Sequence, residues 1–370
     1  MRNTTLRKSP GRLLLLFAAL LLPALLSACG GAPDTVTVLR EWEPASAEKA
    51  QTSAADAAGV RIGMVTDVGG IDDDSFNQSA WEGLQELARA TGCTVDYIES
   101  ASTEEFLTNF ETMAESGCQL VWGVGYACAD AMLEAAERYP GVHFAIVDSE
   151  YAETPENVTG VMFRAEEASF LVGYIAASVN RTGTLGFVGG VEGATIDQFQ
   201  YGYQAGVAYA DRQLGRSTEV LIRYADSFSD PVRGRLLAEE LIGLGCDVVY
   251  HAAGGTGAGV IDAARDADAR AIGVDRDQSY LAPEHVLTSA LKKVNAAVLQ
   301  VSRDFIEGRE IGGSTFWFGL AEGAVGIPEG HANFSDEIYD AALRVEDDII
   351  AGKLAPPATG EAYETFLREN

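Results

Sequence analysis

Positive charge is scarce in this chain. Lys and Arg number 26 against 55 Asp and Glu, for a formal net charge of −29. That excludes nucleic acid as a partner, because no basic patch is present to neutralise phosphates. Histidine is scarcer still. His143, His251, His285 and His331 are the full set, and none accompanies a nucleophile signature. G-x-S-x-G and H-E-x-x-H are both missing, so the usual marks of a serine hydrolase or a zinc peptidase are absent. The five cysteines include no C-x-x-C pair, which argues against a zinc framework. No catalytic residue, metal site or cofactor is expected. The one long apolar run, LLLLFAALLLPALL, is too short for a stable membrane span.

That run identifies the N-terminus as a targeting segment. It follows MRNTTLRKSPGR, which carries four cations and no acid, and it ends in Leu26-Ser27-Ala28-Cys29. A branched residue, two small ones and a cysteine match the bacterial lipoprotein signal. Cleavage before Cys29 and lipidation of its thiol would anchor the mature chain to a cell membrane, facing the periplasm or the cell exterior. The mature chain would keep 22 cations and all 55 acids, a formal charge of −33, which favours solubility. Gly30 to Gly59, rich in Ala, Ser, Thr, Pro and charge, reads as a flexible tether. Cys93, Cys118, Cys128 and Cys246 read as buried small hydrophobes, since a chain this long needs no disulfide staples.

Beyond Gly59, apolar strands alternate with amphipathic helices. RIGMVTD, TVDYIES, QLVWGVG and HFAIVD are strands separated by helical segments. The pattern restarts with TLGFVGG, EVLIRYADS, DVVYHAAGG and AIGVD. The two halves align internally: Cys118 falls on Cys246, Asp148 on Asp275, and Phe76 on Phe199. One α/β lobe with a doubly wound parallel sheet is therefore used twice. Ligands of such sheets bind beyond the carboxyl ends of the strands. Asp67, Gly125, Asp148, Gly189, Ser227, Gly254 and Asp275 all end strands, so two facing lobes would gather them in one cleft.

The stretch VTDVGGIDDDSFNQSAWEGL raises three readings. Asp72-Asp73-Asp74 lacks the alternate spacing and distal glutamate of an EF-hand. Val68-Gly69-Gly70 lacks the Gly-Lys-Ser/Thr of a phosphate loop. As a helix start it makes sense, with Asp74 or Ser75 as the cap. Phe76 is then either a hydrophobic staple or a ring on which a flat ligand stacks, with Asn77 beside it to hydrogen-bond. HAAGGTGAGV departs from G-x-G-x-x-G, and its glycines more simply let backbone approach a ligand. Asp148 and Asp275 suit ligand hydroxyls or amines. Lys292, in TSALKKVNAAV, reads on local grounds as a solvated helix lysine.

At these residues the chain resembles the basic membrane lipoprotein family, the purine nucleoside receptor A type of ABC-transporter substrate-binding proteins. The matching segments include MVTDVGGIDDDSFNQSAWEGL, GVGY, FAIVDS, FRAEEASFLVGYIAA, SFSDPVRG, HAAGGTGAGVI, GVDRDQ and VLTSALKKV. The resemblance implies a periplasmic-binding-protein type I fold, with two doubly wound lobes joined by a three-strand hinge. It implies a purine nucleoside (guanosine, adenosine or inosine) between Phe76 and Phe228. Asp67, Asn77 and Asp148 would contact it from lobe one, and Gly254, Gly255, Asp275 and Lys292 would complete the site. Gln198, Phe199 and Ser227 are lesser candidates. Cys128 follows GVGYA where a larger side chain is expected. The implied organisation is a signal peptide over 1–28 and a tether over 29–59. Lobe one would take 60–163 with about 290–313, and lobe two 164–289 with about 314–370. The implied partner is an ABC permease, with the receptor a monomer. Two alternatives stand beside this: the same fold binding a sugar or other small polar ligand, or a hydrolase using Asp148 and Asp275.

Overall fold

The computed structural model describes residues 57–369. The expected signal segment, Cys29 and most of the expected tether lie outside them. Ala57, expected in the tether, is 3% exposed and donates its N–H to Thr91 O at 3.2 Å, so it belongs to the packed lobe.

Lobe one begins with β1 (Arg61–Val65), α1 (Phe76–Thr91), β2 (Thr94–Ile98), α2 (Phe106–Glu115), β3 (Leu120–Val124), α3 (Ala129–Arg138), β4 (His143–Val147) and β5 (Val158–Phe163). Lobe two follows with α4 (Ala165–Val179), β6 (Thr184–Gly189), α5 (Ala194–Leu214), β7 (Glu219–Tyr224) and α6 (Pro231–Gly243). It continues through β8 (Val248–Ala252), α7 (Thr256–Asp266), β9 (Arg270–Asp275) and β10 (Val286–Lys292). The chain returns to lobe one for α8 (Val294–Ile306) and β11 (Ser314–Phe318). It ends in lobe two with β12 (Val325–Gly326), α9 (Asp336–Ile350) and α10 (Gly360–Glu369).

Each lobe holds a six-stranded sheet, in the order β2-β1-β3-β4-β5-β11 in the first and β7-β6-β8-β9-β10-β12 in the second. All pairings are parallel except β10 with the two-residue β12. The matching orders are the structural form of the internal repeat. Parallel sheets need cover on both faces, which explains why β1, β3, β5 and β8 are almost continuously apolar. In lobe one, Phe106, Phe110, Met113 and Phe144 fill one face. Ile62, Met64, Leu84 and Trp122 fill the other, with the Trp122 indole N–H on Ser302 Oγ at 2.8 Å. Twelve of the 15 residues of α4 are buried, so this helix is covered on nearly every side, by α5, α9 and the sheet.

The sequence puts Ser314–Phe318 in lobe two, but this strand pairs in parallel register with β5 of lobe one. Likewise residues 290–292, expected in lobe one, complete β10 beside β9. The chain thus crosses between lobes at 163–165, 292–294 and 318–325. Cys93, Cys118, Cys128 and Cys246 are all buried free thiols. No helix among the described residues is long and apolar enough to cross a membrane.

One buried acid beside the first crossing has a pH signature. Glu166 is 7% exposed, its Oε2 has no partner, and burial pushes its pKa from 4.5 up to about 7. A raised carboxyl pKa means the unfolded state releases its proton first. Its effect on stability is therefore nil below about pH 4.5 and fully unfavourable above about pH 7, on the order of 3 kcal/mol. Glu166→Gln is expected to stabilise the protein at pH 8 and leave it little changed at pH 4. Urea melts at both values check this. An equal change at both would contradict it.

Candidate functional site

The carboxyl ends of the two sheets face one another across a cleft, and residues from both lobes line one cavity there. Asp67, Phe76, Asn77 and Asp148 come from lobe one, and Phe228, Gly254, Asp275 and Lys292 from lobe two. Including its opening, the space is about 800 Å³.

The acidic loop divides its labour. Asp73 is the carboxylate that caps α1. Its oxygens accept the backbone N–H groups of Ser75 (2.9 Å), Asn77 (2.8 Å) and Gln78 (3.1 Å). This corrects the expectation that Asp74 or Ser75 does so. Ser75 makes no side-chain cap, and its hydroxyl instead donates to Asp275 across the cleft. Asp74 has φ 51°, a left-handed conformation that Asp tolerates, and it turns away from the helix toward lobe two. Asp67 accepts Gly69 N–H and the Asn77 amide, both at 2.8 Å. Burial raises the pKa of both Asp67 and Asp73 against these stabilising bonds. The second amide hydrogen of Asn77 goes to Asp73 at 3.1 Å, which fixes the side chain and leaves its carbonyl oxygen unpaired.

The two strand-end aspartates are conformational twins. Asp148 has φ 62° and Asp275 φ 65°, and each is 7% exposed. Lys292 ends β10 and pairs with Asp148. It is 3% exposed, which corrects its reading as a solvated helix lysine. Its ammonium lies 4.7 Å from the Phe76 ring centre, 5.1 Å from Phe163 and 5.6 Å from Phe199, a cation–π cage. Burial raises Asp275 to about 6, with Lys292 and Ser75 pulling the other way.

The aromatic walls are set by close backbone. Phe228 lies against Gly190, where an added Cβ would stand 2.1 Å from its ring. Gly254 has φ 53° and also abuts Phe228. Tyr126 meets Phe228 edge-on, with ring centres 6.5 Å apart.

Gly255 does not line the cavity. It starts the turn into α7, with its Cα side toward Asp73. Phe199 lines the cavity, whereas Gln198 accepts Ala165 N–H and Ser227 accepts Ser229 N–H. Cys128 points inward to Gly125 O and leaves that wall to Tyr126 and Ala127. Sequence reasoning missed Tyr126, Thr103, Phe106, Thr195 and Ile196 as lining residues. Tyr126 had a usable signal, an aromatic directly after the strand-end Gly125.

Four acids and one lysine give the cavity an anionic character. It can accept hydrogen bonds from hydroxyls and amines and can hold a flat apolar ring between aromatic side chains.

Comparison with known proteins agrees with this architecture. Residues 60–359 match the Bmp family model, described as ABC transporter substrate-binding protein PnrA-like. Basic membrane protein A of Borreliella burgdorferi is 35% identical over 314 residues, covering 84% of this chain and 91% of that one. A CD4+ T-cell-stimulating antigen of Listeria innocua is 35% identical over 317 residues, covering 80% and 87%. The crystal structure of an ABC transporter solute-binding protein from Aeropyrum pernix K1 superposes with a TM-score of 0.75 at 27% identity, covering 84% of this chain and 97% of that one. With two lobes of the type I periplasmic-binding fold and a match across nearly all the described residues, the chain belongs to the PnrA-like family of ABC-transporter substrate-binding proteins.

Proposed function

We propose that this chain is a lipid-anchored receptor that captures a purine nucleoside between its lobes and delivers it to an ABC permease outside the cytoplasm. The observation that carries the reading is the pairing, in one cavity, of an aromatic ring from each lobe with strand-end carboxylates. Phe76 and Phe228 offer π-faces to a planar base. Asp148 and Asp275 offer acceptors to a vicinal diol. The excess of carboxylates over Lys292 disfavours a phosphate, so the free nucleoside fits better than the nucleotide. A sugar would offer these rings only its C–H faces, whereas a planar base offers a π-face to each. Lys292 and Ser75 each take one oxygen of Asp148 and Asp275, which leaves the carboxylates acceptors for a diol. It also fixes them as partners of those groups and not as the free acid and base that the hydrolase alternative needs.

Thermal melting tests the ligand. Guanosine, adenosine and inosine are expected to raise the melting temperature, because a ligand at about 100 times its Kd adds about 2.7 kcal/mol. Ribose and uridine are expected to do little. A shift with ribose and none with any purine nucleoside would overturn the ligand. For the anchor, the chain is expected to partition into a detergent phase and Cys29→Ser into water. Equal partitioning would contradict lipidation.

A further inference from the structure

The acidic loop has a second use, seen in what Asp74 touches. Its carboxylate accepts the Tyr280 hydroxyl at 2.7 Å, and its carbonyl accepts the Gln278 amide at 3.1 Å. Asp74 belongs to lobe one, while Gln278 and Tyr280 belong to the turn after β9 in lobe two. The same turn reaches lobe one again through Arg276, whose guanidinium lies 3.2 Å from Glu82 on α1. Arg276 also packs 5.9 Å from the Tyr280 ring centre.

These contacts are prepared from below. Gln278 is 1% exposed, and its carbonyl oxygen is held by His251 at 3.0 Å and by Val274 N–H at 3.0 Å. Its backbone N–H donates to Ser289 Oγ at 3.1 Å. Its amide hydrogens are therefore left to point at Asp74. Burial lowers the His251 pKa to about 4, so the ring is neutral at pH 7 and its Nε2–H serves as the donor. Tyr280, by contrast, is 51% exposed, so the contact sits at the rim of the cleft.

We infer that Asp74, Gln278 and Tyr280, with Arg276 and Glu82 alongside, form an interlobe clasp that holds the closed cleft and sets how long a ligand stays. Tyr280 and Gln278 are positioning residues, since neither lines the cavity. Tyr280 bears on a ligand only through the lobe angle, while Gln278 also holds Val274 of the cavity wall. Contacts made only in the closed form slow its reopening without changing the encounter, so they act on the off-rate. The left-handed backbone of Asp74 has a purpose in this account, since it aims carbonyl and carboxylate at the same turn of lobe two.

The ligand side of the inference rests on the nucleoside reading, but the clasp does not. Two dyes on Glu86→Cys and Leu244→Cys, one exposed site per lobe, report the lobe distance in mature protein carrying Cys29→Ser. Labelling is selective because the four other cysteines are buried. Tyr280→Phe and Gln278→Leu are each expected to shift ligand-free molecules toward the longer distance. With bound nucleoside they are expected to raise the off-rate roughly 3- to 10-fold, the effect of one net hydrogen bond, with the on-rate unchanged. Their melting temperatures report that the fold is intact. An unchanged distance distribution in both variants overturns the clasp, whether or not any nucleoside binds. An altered distribution with no nucleoside binding supports the clasp and overturns the ligand.

Discussion

Lys292→Met is expected to destabilise the protein by about 3–5 kcal/mol, the effect of leaving one partner of a buried ion pair alone. Among the described residues Lys292 is the only cation lining the cavity, 3% exposed and paired with Asp148, which is itself 7% exposed. Its removal strands the Asp148 carboxylate and takes away the charge that holds the Asp275 pKa down. The Asp275 carboxyl would then rise further above about 6. Because the pair sits where the chain crosses between lobes, the loss is felt by both sheets. Adding Asp148→Asn to Lys292→Met is expected to recover most of the stability, since the stranded charge is gone. Urea denaturation of the two single variants and the double variant measures this. A cost below about 1 kcal/mol for Lys292→Met would show that the pair is not the structural centre of the cleft.

The second large effect is on binding. Phe76→Ala and Phe228→Ala are each expected to weaken purine nucleoside affinity roughly 5- to 150-fold, because base stacking on an aromatic side chain contributes about 1–3 kcal/mol. Both rings are only half-buried, so the fold is expected to survive their loss. Phe228→Tyr keeps the π-face and is expected to bind nearly as well as the parent. Phe76→Ala has a second consequence, since its ring is also the nearest of the three around the Lys292 ammonium. Titration calorimetry separates the cases. Unchanged affinity in both alanine variants would remove the aromatic basis of the proposal.

Much of this architecture is readable in the sequence, for physical reasons that also explain the failures. The alternation of apolar strands and amphipathic helices, repeated once, dictates two parallel sheets with matching strand order. Asp148 directly follows a buried apolar strand and Asp275 is the last residue of one, and that position alone directs both to the cleft. STFWF reads equally well as an edge strand of either lobe, because a short apolar strand suits both sheets, and only its register with β5 decides. Lys292 and Lys293 look alike in LKKV. At the end of a strand successive side chains point to opposite sides, which buries the first and leaves the second exposed on Gly323 O. The three adjacent aspartates are equally indistinguishable. The backbone turn at Asp74 sends Asp73 to the helix and Asp74 to the other lobe. The clasp is invisible in the sequence because its partners lie about 200 residues apart.

The most direct measurement is isothermal titration of the mature chain carrying Cys29→Ser, unfolded and refolded to strip carried ligand. Guanosine, adenosine, inosine, uridine and ribose would each be titrated. Tight binding of purine nucleosides, with uridine and ribose weak or silent, is the expected result. No heat with any nucleoside, alongside a clear response to ribose or another sugar, would contradict the account and leave only the fold standing.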